Sequence, residues 1–379
     1  MNEKLKPFKK TSPGEIIVRM MDSLGWTQSD LAEISGLGDK KISYLINNKQ
    51  CITTETAGLL GRIFNKSPDF WMKVALNYEI SKKDDNEISK EDLAEAKAQM
   101  HKYMPVAEIK RKGWFVSNVS SISEIENEYE RLFGQKTFPV KQFENNSLGM
   151  AARQTRDDTD FTKYYRSAWF SFAKMYAKKI ASSSLNKNSY NEDVLRKIAF
   201  SLYTYTTLSN GIEKFLSDIS HAGVHFFVLS HLSKTYLDGA AFIESDKPFI
   251  VYTGRYDRED NFWFVVAHEI AHILLHYDFL KEPFLDDMED TKIKNQNERE
   301  KEADKQAGIF LNQQEVLKFK WQINRYVTED RLQRISQASN VSVPIALGML
   351  QHDGVVPWNQ FTKYKPKVIH KIPSEYIKG

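Results

Sequence analysis

The chain has 379 residues, 53 Lys and Arg against 50 Asp and Glu, a net charge of +3 and 41% hydrophobic residues. That length gives room for two or three domains with buried cores, and the charge balance excludes a chain built to coat nucleic acid or a membrane surface. One cysteine, Cys51, excludes a disulfide framework and a thiolate metal site, and it fits a reducing cytoplasm as a buried bystander. No signal peptide is read, and no apolar run approaches the roughly eighteen residues of a membrane span.

Residues 1–80 read as five short helices. Ile16, Ile17, Met20, Met21 and Leu24 follow helical spacing until Gly25. Thr27-Gln28-Ser29-Asp30 is a capping box that opens a second helix, with Leu31, Ala32 and Ile34 inward. Gly36-Leu37-Gly38 makes a turn into a third helix, Asp39 to Asn47, which buries Ile42, Leu45 and Ile46 and shows Lys40, Lys41, Ser43 and Tyr44. This is the pattern of a helix-turn-helix, whose second helix enters the major groove of double-stranded DNA. Thr53 to Phe64 and Ser67 to Tyr78 add two more helices. The segment carries 11 basic against 9 acidic residues, a weak phosphate footprint.

A polar linker at 81–87 begins a helical middle, residues 81–212, with helices expected at 90–104, 121–134 and 160–182, and at 190–221 running into the next segment. Within it, Lys110-Arg111-Lys112-Gly113-Trp114 reads as a solvated helix end rather than a nucleic-acid contact.

Residues 213–325 carry the chemistry. Val224 to Leu229, Thr235 to Ile243 and Pro248 to Tyr252 read as strands, the last two joined by a turn over Glu244 to Lys247. An exposed strand there would hold an extended peptide by strand addition. The aromatic run Phe262 to Ala267 then leads into His268-Glu269-Ile270-Ala271-His272. Two imidazoles four residues apart lie one turn apart on one helix face and reach one metal. With a third protein ligand, Zn2+ keeps one position for water, and Glu269 would take that water's proton and pass it to the leaving amine. About thirty residues on, Glu298-Arg299-Glu300-Lys301-Glu302-Ala303-Asp304 opens a second helix. A carboxylate from it would complete the ligand set, and Asp304, one turn after Glu300, would orient a ligand histidine through its other nitrogen. Thr328 to Leu350 is a further helical segment in the tail, residues 326–379.

These residues resemble the ImmA/IrrE-type metallopeptidases, whose pattern is an aromatic-rich run into H-E-x-x-H, a further His, and E-x-x-A-(N/D) on a second helix. The resemblance implies Zn2+ ligands His268, His272 and Glu300, with Glu269 as general base. Glu302 is the rival third ligand, but Glu300 has the family's spacing to Asp304. His276, about 12 Å along the axis from His268, is expected beside the site rather than on the metal. Ala152-Arg153-Gln154 and Ile345 to Gln351 match further family stretches, and Leu311-Asn312-Gln313-Gln314 departs from the family's proline. The first segment resembles the HigA branch of the XRE-type antitoxin repressors, from Ser12-Pro13-Gly14-Glu15 to Asn77-Tyr78. That likeness implies DNA contacts from Gln28, Lys40, Lys41, Ser43, Tyr44 and Lys49 and action as a homodimer, while Asp39 departs from the family's basic residue.

The expected fold is therefore multidomain and mainly α with a small α+β part. It comprises a five-helix lambda-repressor-like domain, the helical middle, a zincin-like core with a small sheet and the H-E-x-x-H helix, and the helical tail. The expected function is a cytoplasmic, zinc-dependent endopeptidase that cuts a regulatory protein such as a repressor or antitoxin. The alternative is an antitoxin or repressor whose zinc domain is a sensing or protein-binding platform.

Overall fold

The structure, a computed structural model, describes residues 11–82, 90–144, 160–183, 188–281, 289–320 and 327–378. Ala152-Arg153-Gln154 and linker residues 83–87 lie outside the described residues. The chain divides into two compact units, residues 1–93 and 94–379.

The first unit holds α1 (Pro13–Leu24), α2 (Gln28–Ser35), α3 (Asp39–Ile46), α4 (Thr54–Ile63) and α5 (Pro68–Lys82). Local chemistry fixes the ends. The Ser12 hydroxyl accepts from the Glu15 amide at 3.2 Å while Glu15 accepts from the Ser12 amide at 2.8 Å, and Thr27 and Asp30 repeat the box on α2. Gly25 and Gly36 end α1 and α2 in the left-handed conformation that glycine adopts without steric cost. Ile17, Met21, Leu31, Ile42, Leu45, Leu60 and Trp71 form the core. Two expectations fail here. Ile34 is 49% exposed, because at about 100° per residue it lies roughly 110° from the middle of the arc set by Leu31 and Ala32. Cys51 is exposed, in the extended segment before α4.

α1 crosses α3 at Gly14. A Cβ there would lie 1.9 Å from the Ile46 carbonyl oxygen, and Asn48 ties the crossing by accepting from the Gly14 amide at 3.0 Å and donating to Ser12 Oγ at 2.9 Å. Gly14→Ala is therefore expected to destabilise this unit by about 1–3 kcal/mol, the usual cost of overpacking. Faster hydrogen exchange across α1 and α3 would show it, and unchanged exchange would mean that the crossing relaxes freely.

The second unit contains α6 (Lys90–Tyr103, which begins just before its boundary), α7 (Val106–Arg111), α8 (Ile122–Phe133), α9 (Val140–Glu144) and α10 (Asp160–Ser182). α11 (Glu192–Phe200), α12 (Leu202–Tyr205) and α13 (Gly211–His221) stand where one helix over 190–221 was expected. Hydroxyls break that helix: Thr204 and Thr206 donate to the carbonyls of Ser201 and Tyr203 at 2.7 and 2.6 Å, and Gly211 allows the close turn back, its virtual Cβ being 1.9 Å from the Tyr205 oxygen.

A three-stranded sheet follows, β1 (His225–Val228), β2 (Gly239–Glu244) and β3 (Lys247–Tyr252), in the order β1-β3-β2. β1 pairs parallel with β3 and β2 pairs antiparallel with it, Gly239 opposite Tyr252 and Phe242 opposite Phe249. Ser245 and Asp246, at φ 52° and 59°, make the tight hairpin turn. β2 begins at Gly239 rather than Thr235, because Lys234 and Tyr236 take positive φ and Thr235 turns its hydroxyl onto the Leu232 carbonyl. α14 (Glu259–Leu275) and α10 cover the sheet's opposite faces: Ala241, Ile250 and Tyr252 join the core around α14, and Phe242 meets Phe170 of α10 edge-on at 5.0 Å. α15 (Tyr277–Lys281), α16 (Glu289–Phe310), α17 (Gln313–Leu317), α18 (Glu329–Ala338) and α19 (Val343–His352) complete the unit, with α16 and α19 packed against α14. No helix among the described residues is long and apolar enough to cross a membrane. The architecture is multidomain and mainly α, with this small sheet as its only α+β part among the described residues.

Candidate metal centre and helix-turn-helix

α14 is apolar nearly all round, as a helix buried between a sheet and two helices must be. Its polar exceptions are therefore conspicuous: His268 and His272 are 1% exposed and Glu269 is fully buried. Helical spacing brings the two histidines together, Nε2 to Nε2 at 3.0 Å. α16 supplies the third group. Glu300 Oε2 lies 3.2 Å from His268 Nε2 and its Oε1 3.4 Å from His272 Nε2, while Asp304, one turn later, receives His268 Nδ1 at 2.9 Å. The structure thus brings His268, His272 and Glu300 together around one point, with Asp304 on the outer nitrogen of His268. Glu302 faces the other way along α16, 3.5 Å from His276 Nε2, and His276 stands one turn beyond His272 with ring centroids 5.6 Å apart.

Tetrahedral bonds of about 2.1 Å place ligand atoms about 3.4 Å apart, close to the three separations here, so the donors fit a zinc-sized ion. Two imidazole nitrogens and a carboxylate also match zinc's preference, and a carboxylate on the outer nitrogen of a ligand histidine is the usual support for such a site. Without a metal the same groups hold a proton among them. Burial works against charge on His268, but the hydrogen bonds to Asp304 and Glu300 and the charges of Glu269 and Glu300 outweigh it and raise its pKa to about 9. Burial dominates at His272 and lowers its pKa despite Glu300. Burial would raise Glu300, yet its hydrogen bonds to both imidazoles hold it down to about 2.

One residue that the sequence reading missed shapes the site. Gly239, at the start of β2, faces Glu269: a Cβ there would lie 3.0 Å from Oε1 and 2.4 Å from Val265 Cγ1. A glycine opening an otherwise β-branched and aromatic strand pair was the available signal for such a close approach.

In the first unit, α2, the Gly36-Leu37-Gly38 turn and α3 form the helix-turn-helix. Gln28, Lys40, Tyr44 and Lys49 are exposed, whereas Lys41 and Ser43 are half-buried. The Lys40 ammonium sits over the Tyr44 ring at 5.7 Å, and Asn47 donates to the Ser43 carbonyl at 2.8 Å, so this face is partly ordered by its own contacts. The double change Lys40→Glu and Lys41→Glu is expected to weaken binding to a random-sequence duplex and to flatten its salt dependence, since each phosphate contact contributes about 0.9 to the log–log slope. Anisotropy titrations over a range of salt check this; an unchanged slope would place the phosphate contacts elsewhere. In the second unit, the basic cluster at 110–114 is a helix end with Lys110 and Arg111 exposed, while Lys112 Nζ bonds Ser230 Oγ at 2.9 Å and Trp114 is buried.

Comparison with known proteins agrees with both units. The model of the IrrE N-terminal-like domain, of peptidase family M78, matches residues 220–350, and that of the helix-turn-helix matches residues 17–71. An uncharacterized HTH-type transcriptional regulator of Haemophilus influenzae is 30% identical over 96 residues, 25% of this chain and 90% of that protein. The uncharacterized HTH-type transcriptional regulator YbaQ of Escherichia coli K12 is 30% identical over 86 residues, 22% of this chain and 76% of that protein. No solved structure matches the chain. The chain thus belongs to the XRE-type helix-turn-helix regulators through its first module and carries an IrrE-like domain of peptidase family M78 in its second.

Proposed function

We propose that the protein is a regulatory zinc-dependent endopeptidase of the cytoplasm, which cuts a regulatory protein such as a repressor or antitoxin and is placed on DNA or on its partner by the helix-turn-helix. The observation that carries this reading is a fully buried carboxylate, Glu269, next to His268 in sequence and close enough for its charge to act on that member of a His-His-Glu cluster. A sensing or docking platform needs ligands but no general base.

His268, His272 and Glu300 would hold the ion, and Asp304 would fix the His268 ring by accepting from Nδ1. Zinc bound there supplies Lewis acidity and a water made acidic near neutral pH. Glu269 accepts a proton at its carboxylate and returns it to the departing amine, and its burial keeps bulk water from competing for that proton. Among the described residues β2 is an edge of the sheet that begins at Glu269's side, but Gly239 to Phe242 are buried, so the strand expected to lie exposed for an extended peptide is covered.

The test compares zinc-loaded and chelator-stripped protein in lysate of the source cell. The expected result is one protein fragmented only by the loaded form. Full operator binding with no fragment in either sample would favour the second reading, a repressor with a metal-dependent platform, to which the names of the relatives lean.

A further inference from the structure

Beyond the metal cluster, the described residues enclose a pocket of about 100 Å³ at the first turns of α14. Its lining includes Phe264, Leu311, Ile345, Met349, His352 and Trp358. Phe264 precedes His268 by one helical turn on the same face, about 6 Å along the axis. On α16, which runs antiparallel to α14 as the Glu300 and Asp304 contacts show, Leu311 follows Asp304 by about two turns. The pocket therefore continues the line of the metal cluster along the α14–α16 seam. An extended chain advances about 3.3 Å per residue, so a peptide held at the cluster reaches the pocket within about two residues.

We propose that this pocket receives a large unbranched or γ-branched apolar side chain, leucine, methionine or phenylalanine, of the peptide cut at the metal cluster, and so sets where the chain is cleaved. This assignment rests on the peptidase reading above. The lining carries it. The floor is aliphatic and aromatic, with the Phe264 and His352 rings stacked at 6.4 Å and 21°. The one carboxylate of the lining, Asp260, is already held by Arg258 at 3.0 Å and by Lys365 at 3.6 Å, so no uncompensated negative charge waits for a cationic side chain. Gly348 brings α19 against Asp260, where a Cβ would meet the carboxylate oxygen at 3.1 Å. At the rim, Trp358 is 53% exposed, held flat by Lys365 at 4.4 Å and Arg258 at 5.7 Å from its ring centre, and it offers an aromatic wall to an entering chain.

Two arms test the pocket and the activity separately. In the first, N-acetyl-leucinamide, N-acetyl-alaninamide and N-acetyl-lysinamide are titrated into metal-free full-length protein while the methyl resonances of Ile345 and Met349 are followed. A saturable shift with the leucine derivative, and at least about tenfold weaker response to the other two, is expected from the transfer preference of a buried isobutyl group. Equal responses, or none, overturn the pocket. In the second, a peptide library is cut by zinc-loaded wild type, Met349→Trp and Trp358→Ala. Wild type is expected to cut next to or two residues from Leu, Met or Phe, and Met349→Trp to lose those sites by about tenfold or more. Trp358→Ala, whose side chain is at the surface, keeps the test valid where Met349→Trp misfolds. Cleavage without apolar preference overturns the assignment. No cleavage at all, with the leucine shifts intact, supports the pocket and overturns the peptidase reading instead.

Discussion

Glu269→Gln is expected to keep about one zinc per chain and to lose cleavage by about a thousandfold, within the range that general-base catalysis contributes. The substitution is close to isosteric and the site leaves little freedom. Glu269 is fully buried on α14, and the α-carbon face of Gly239 stands against its carboxylate, where a Cβ would lie 3.0 Å from Oε1. An amide in that space preserves the packing that aligns His268 and His272, so the ligands stay. What it cannot do is accept a proton. Metal analysis and cleavage rates on the same preparation read the two effects apart. An undiminished rate would remove Glu269 from its role as base, and loss of the metal would show that its charge is needed to assemble the ligands. A side-chain addition at Gly239 is the complementary change: it touches no named ligand directly and crowds the Val265 side chain at 2.4 Å and the Glu269 carboxylate at 3.0 Å.

How much of this was legible follows from the range of each contact. His268 and His272 share a face because helices repeat every 3.6 residues, and Glu300 and Asp304 do so for the same reason; both statements need only local structure. The choice between Glu300 and Glu302 was harder, since residues two apart on a helix point about 200° apart and only the docking of α16 on α14 decides which one faces inward. The helices of the first unit were readable from caps, glycines and spacing. Gly14 and Gly239 were not, since each is demanded by a partner dozens of residues away in sequence or on another element, and nothing local to either glycine names that partner. Ile34 differs for the opposite reason: it is apolar yet exposed, because an eight-residue helix has only one inward arc. The break between α11 and α13 lay in plain view as a run of threonine, serine, asparagine and glycine, residues that offer the backbone hydrogen bonds outside the helix.

Glu300→Gln is expected to lower zinc affinity by at least about a hundredfold, more than the tenfold to hundredfold lost with a supporting residue outside the ligand set. The wild-type comparison also has a pH signature. At neutral pH the metal-free site contains a protonated His268, held by Asp304 and Glu300, beside a neutral His272 and an ionised Glu300. A cation binds His268 only through the lone pair that this proton occupies, so loading at pH 7.5 is expected to release about one proton, and none well above pH 9. The sign for stability follows from the same group. Its folded pKa, about 9, lies above the ordinary 6.5, so the stabilisation it gives the metal-free protein is complete below pH 6.5 and is lost as pH rises through 9. In Glu300→Gln one of the two carboxylates bonded to the ring is gone, and the proton released on loading falls with the His268 pKa. Calorimetry in buffers of different ionisation enthalpy counts the proton, and chelator competition measures the affinity. Wild-type affinity in Glu300→Gln would move the third ligand elsewhere, and loading without proton release would mean that His268 enters the site already neutral.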